Sequence, residues 1–78
     1  MIEFNDVRER IKQILILKLK KDKILDKDIA HSLNLDPQYY AVIKRRKKIP
    51  YEHVAYFCKE HFVSMNYILM EQKPKYLT

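Results

Sequence analysis

Between Asp26 and Pro50 the chain reads DKDIAHSLNLDPQYYAVIKRRKKIP, which divides into two short helices, a tight polar turn between them and a basic run. Ile29, Ala30 and Leu33 share one face of the first helix, as core residues of a helix must. The small Ala30 lets a crossing helix approach closely. Asn34 takes the turn, because its short polar side chain tolerates a left-handed backbone in a chain that contains no Gly. Leu35 plugs the turn from inside. Asp36 and Pro37 open the second helix with a capping carboxylate and a residue whose φ is already set. Tyr40 and Ile43 then face inward. This order, two helices and then cations, suits an element that lays a helix against DNA and holds it there by the phosphates.

The rest of the chain supports a small all-helical domain. Seventy-eight residues, 47% of them apolar, allow one core. The absence of Gly and the scarcity of Pro, three in all, give tight hairpins little support. Val7, Ile11, Ile14 and Leu15 recur at helical spacing in a first helix capped by Asn5 or Asp6, with Phe4 over its start and Ile16, Leu17 and Leu19 widening its apolar surface. Ile24 and Leu25 are expected to dip into the core, and Asp26 to cap the helix that follows. Pro50 starts a fourth helix on which Val54, Phe57, Cys58, His61 and Phe62 share a face. Ser64 caps a short fifth helix, Met65–Met70. The domain is expected to occupy residues 1–70, with its motif at 26–45 and a tail at 71–78 into which Tyr76 and Leu77 can dock.

Charge points to partners rather than to fold. The net charge of +6 favours polyanions. Lys44, Arg45, Arg46, Lys47 and Lys48 form five consecutive cations that span the end of the second motif helix and the loop after it, and with Lys27 they are the expected phosphate-binding set. Gln38, Tyr39, Ala41 and Val42 lie on or beside the outer face of that helix. Gln38 suits the N6 and N7 of an adenine, and Val42 a thymine methyl. For Tyr39, phosphate contact, base contact and partial burial stay open. The lysines that end the first helix read as a solvated helix end.

Catalytic and metal chemistry find no support. His53 and Cys58 diverge by about 140° around a helix, and Cys58 with His61 supplies only two ligands. Core packing for Cys58 and edge packing for His61 account for both. No Gly-rich phosphate loop can form without Gly, and no cofactor or small-molecule substrate is implied. One Cys permits no internal disulfide, which fits a reducing compartment. The longest apolar run, Ile14–Leu17, is too short to cross a membrane. Acidic Glu3 and Asp6, with no cleavable apolar segment, argue against a signal peptide. A cytoplasmic, nucleoid-associated location is expected.

From Asp26 to Pro50 the chain resembles the helix-turn-helix of temperate-phage repressors, within the bacteriophage-repressor (XRE-like) superfamily. In that type the motif continues as R-x-x-I-P-Y-E, which stands here as Arg46-Lys47-Lys48-Ile49-Pro50-Tyr51-Glu52. Asn66-Tyr67-Ile68-Leu69 resembles the family's closing D-W-L-L. The resemblance implies a five-helix, lambda-repressor-like domain that binds double-stranded DNA as a homodimer and regulates transcription, as a repressor. It places Ala30 at the family's small residue, Asn34 at its turn Gly, Gln38, Tyr39, Ala41 and Val42 at its base-facing positions, and Arg45 with the cations after it at its backbone-facing ones. Three departures stand out. Asp26 replaces a frequent Gln and removes a phosphate contact. Val42 replaces a polar base reader, so no operator sequence transfers. The larger repressors continue into a second domain, these 78 residues match only the first, and self-cleavage is not expected from the resemblance. Dimerisation is then expected through Tyr67, Ile68, Leu69 and Met70, whose apolar surface exceeds what one short helix needs, with the first helix as a further contributor. Two other readings remain. One is an adaptor, such as an antitoxin or phage-type inhibitor, on a repressor-like scaffold. The other is a charge-driven nucleic-acid-coating protein without sequence preference.

Overall fold

Apolar spacing builds the frame. In the computed structural model, which describes residues 1–77, helix α1 (Phe4–Leu19) buries Phe4, Val7, Ile11, Ile14 and Leu15 along one stripe. It is followed by α2 (Asp26–Ser32), α3 (Pro37–Arg46), α4 (Tyr51–His61) and α5 (Met65–Met70). Among the described residues these five helices are the regular structure, with no strand, and one isolated bridge pairs Val63 antiparallel with Tyr76. Ile29, Ala30, Leu33, Leu35, Tyr40, Ile43, Val54, Phe57, Cys58 and Ile68 complete one continuous core. No helix among the described residues is long and apolar enough to cross a membrane.

Each helix ends at a left-handed residue, and without Gly those residues are Lys20, Asn34, Lys47, Phe62 and Glu71. At the end of α2, Leu35 N–H donates to Ala30 O at 2.8 Å and Asn34 N–H to His31 O at 3.0 Å. This pair of bonds is a Schellman motif, which satisfies carbonyls the helix leaves open. Lys48 N–H to Ile43 O, 3.1 Å, and Lys47 N–H to Lys44 O, 3.2 Å, repeat it at the end of α3. Asn34, at φ 59°, is the residue best suited to its place. Asn34→Gly should leave stability unchanged or raise it slightly, while Asn34→Val should cost about 1–2 kcal/mol in urea unfolding. Equal losses in the two variants would show that the turn conformation is not the cause.

Several expectations change here. Neither Asn5 nor Asp6 caps α1, which starts one residue after Glu3 with no side-chain cap. Of the pair expected to dip into the core, Ile24 is buried and Leu25 is exposed, while Ile16, Leu17 and Leu19 form the widened apolar surface of α1 on its outer side. Asp26 does not cap α2. Leu25 holds the cap position, and Asp28 Oδ2 accepts its N–H at 2.9 Å. A Leu side chain cannot accept in return, so half of a capping box forms. That bond, followed by the Lys21 ammonium at 3.1 Å, keeps the Asp28 carboxyl below its ordinary range. Phe62 leaves the face it was assigned because α4 ends at His61: in the left-handed region at φ 56° its ring turns outward, 57% exposed, and Val63 takes the core position.

Ser64 caps α5 as expected, accepting from Asn66 N–H at 3.1 Å and Tyr67 N–H at 3.4 Å. The tail docks in part: Ser64 N–H donates to Lys75 O at 2.9 Å and Leu77 N–H to Phe62 O at 2.9 Å. Thr78, the last residue assigned to the tail, lies outside the described residues.

The expected dimer surface is corrected at Ile68, which is fully buried. α5 lies against α1, where Tyr67 Oη donates to Gln13 Oε1 at 3.1 Å and Arg10 Nη1 to Ile68 O at 3.2 Å. Tyr67 and Leu69 are half-buried against the core, and Met70 is exposed. The six-residue helix spends its central apolar residue on the domain itself. Exposed Phe62 and Leu77, with Ala55 and Met65, instead line a shallow apolar groove along α4.

Candidate nucleic-acid interface

The Schellman turn at Asn34 sets how α3 leaves α2, two features fix α3 in that place, and a third braces the end of α2. Asp36 Oδ1 accepts from Gln38 N–H at 3.4 Å with Pro37 at the first helical position. Tyr40 and Ile43 anchor the inner face, 2% and 5% exposed. On α4, His53 Nδ1 lies 2.9 Å from Leu33 O. Since a carbonyl only accepts, Nδ1 carries the proton, and His53 ties α4 to the end of α2. Reading His53 only as a failed metal ligand missed this role; nothing in the spacing signals it.

With Tyr40 and Ile43 turned in, Gln38, Tyr39, Ala41 and Arg45 are exposed, and Val42 is partly so. The four expected base-facing residues therefore share the outer side of α3 and its flank. The small Ala41 and slim Val42 keep that surface low, and Tyr39, 56% exposed, is not spent on the core. The cations do not act as one block. Lys44, Arg45 and Arg46 occupy the last turn of α3, where positive charge suits the helix end. Lys47 is the left-handed residue and Lys48 follows it outside the helix, so the run fans out around the end of α3.

Between the start of α2 and α3 lies an open cleft of about 490 Å³. Lys27, Lys44, Arg45 and Lys47 line it, together with Asn5, Asp26, Tyr40 and Ala41. Arg46 and Lys48 stand outside it. Among the described residues, Lys27, Arg45, Arg46, Lys47 and Lys48 enter no ion pair, whereas Lys44 Nζ lies 2.6 Å from Asp26 Oδ2. Asp26 also accepts from Arg8 Nη2 at 3.4 Å. The hydrogen bond from Lys44 holds the Asp26 carboxyl below its ordinary range, against the opposing effect of partial burial. Beneath this pair, Arg8 Nε and Tyr40 Oη are buried without a hydrogen-bond partner. Burial, the largest cause, pushes the Tyr40 hydroxyl above its ordinary pKa. Arg8 was absent from the sequence-derived site; its position four residues after Phe4, on the core side of α1, was the available hint.

The residues considered for metal or nucleophile chemistry sit elsewhere. Cys58 is buried, and burial pushes its thiol up to about 11, the opposite of what a nucleophile needs. His61 packs against Phe57 with ring centroids 4.5 Å apart and the rings tilted by 43°, and burial, then Lys18, lowers its pKa. No group of three or more His, Cys, Asp or Glu gathers into a possible metal site among the described residues.

What the arrangement offers chemically is a low, hydrogen-bonding helix surface flanked by cations that enter no ion pair among the described residues. Compared with known proteins, the chain matches no family model, no curated protein and no solved structure.

Proposed function

We propose that this chain binds double-stranded DNA, reads sequence with the outer side of α3, and acts as a transcriptional repressor by occupying operator half-sites as a homodimer. One observation carries the reading. A Schellman turn at a left-handed Asn34 presents α3 with Gln38, Tyr39, Ala41 and Arg45 exposed, beside five cations that enter no ion pair among the described residues. A charge-driven coat needs the cations alone. The low outer side of α3 has no such purpose, and it fits the major groove, whose width admits a helix. Repression is then steric, with a dimer on two half-sites about one helical turn apart blocking polymerase. Phosphate contacts supply most of the affinity and the register, and Gln38 and Val42 supply the discrimination.

The test is selection of bound duplexes from a random pool at near-physiological salt, run in parallel with a Gln38→Ala, Val42→Ala double variant. The expected result is a palindromic site for the native chain. Its preference should fall by roughly ten- to a hundredfold in the variant, the loss expected when a good base contact is removed. Recovery of no preferred site, with binding that vanishes as salt rises, rules out sequence reading.

A further inference from the structure

We propose that Asp26 is a built-in competitor for the phosphate backbone: its carboxylate occupies the cation-lined cleft beside α3 and engages Lys44, so that bound DNA must displace it. This rests on the reading of the cleft as a DNA contact and adds the residue that limits affinity there. The positions are specific. Asp26 Oδ2 meets Lys44 Nζ at 2.6 Å and Oδ1 faces Arg8 Nη2 at 3.4 Å, in a cleft also lined by Lys27, Arg45 and Lys47. A carboxylate bridging two cations makes the contacts that a phosphodiester oxygen would make.

The pair is also built to be exchanged. Both side chains are partly exposed, 45% for Asp26 and 41% for Lys44, so solvent weakens their attraction. Arg8 differs: its side chain is 21% exposed and holds Asp26 from beneath. Asp26 is therefore kept at the cleft by a fixed cation and shares a movable one. Releasing Lys44 to a phosphate returns the counterion that the phosphate had condensed, which Asp26 prevents while it is paired.

The experiment compares Asp26→Asn with Glu60→Gln, an exposed carboxylate on α4 whose loss changes net charge by the same amount outside the cleft. Asn keeps an acceptor for Arg8 while losing the charge. Binding of one fixed duplex is measured across a salt series, and thermal melts establish that each variant folds. Asp26→Asn should tighten binding by about tenfold and steepen the dependence of log K on log salt by about one. Glu60→Gln should change affinity by less than about twofold, because a distant exposed charge is screened. Asp26→Ser, which also removes the charge, should reproduce the gain and serves if the Asn variant folds poorly. Equal gains from Asp26→Asn and Glu60→Gln, or no gain in a folded Asp26 variant, overturn the proposal. The two readings fail separately. A native chain that selects no site while Asp26→Asn still gains leaves the competitor standing and ends sequence reading. A selected site with no gain does the reverse.

Discussion

Replacing Arg45, Arg46, Lys47 and Lys48 together by alanine is expected to lower duplex affinity by roughly two to four orders of magnitude at near-physiological salt, and to flatten the salt dependence by about three to four units in log K against log salt. Each of these cations is free of ion pairs among the described residues, and so can neutralise one phosphate and release close to one counterion. Lys44 is left in place because Asp26 already holds it. The substitution also removes charges from the end of α3, where cations suit the helix dipole, so a modest fall in melting temperature should accompany the lost binding. The control removes Lys12, Lys18, Lys20 and Lys23, which changes net charge equally but touches only α1 and the connection after it. That variant should lose about tenfold or less, through the weakened overall field. Matching losses in the two quadruple variants would mean that net charge, and not the end of α3, attracts the duplex.

The parts that were legible in the sequence are those whose cause is local. The turn at Asn34, the start at Asp36-Pro37, the inward Tyr40 and Ile43 and the cap at Ser64 each follow from residues within one helical turn, and all stand where the sequence put them. What was illegible depends on distant partners. Asp26 is a good capping residue by type, but a capping role competes with Lys44 and Arg8, both eighteen residues away in the chain. Phe62 keeps core spacing with Val54 and Cys58, yet spacing has meaning only while the helix lasts, and α4 stops one residue short. The docking of Lys75–Leu77 on Phe62–Ser64 uses backbone groups over too few residues to leave a period. On α3 the choice of outward residues was legible because the inward pair was unambiguous. That the cations span the end of α3 and the loop after it was legible as well, whereas the left-handed turn at Lys47, which no local rule favours, was not.

Ile68 and Met70 offer the sharpest separation between a core residue and a surface one. On a helix of six residues an apolar run such as Ile68-Leu69-Met70 has no readable face, and packing against α1 and α4 decides the matter, leaving Ile68 completely buried. Ile68→Ala is therefore expected to destabilise the domain by about 2–5 kcal/mol, the cost of emptied volume in a packed core. At this chain length that corresponds to roughly 10–30 °C in melting temperature, a large share of the whole stability of a small domain. Met70→Ala removes an exposed side chain and should leave the melt within about 0.5 kcal/mol of the native value. Sedimentation at matched concentrations then reads the association. If the proposed homodimer uses α5, Met70→Ala shifts the mass toward the monomer while the fold stays intact. In Ile68→Ala, any loss of dimer follows the loss of helix by circular dichroism, since the side chain reaches no partner from inside the core. An Ile68→Ala variant that melts like the native chain but no longer associates would place Ile68 at an interface after all, and would require α5 to pack on a second copy instead of on α1.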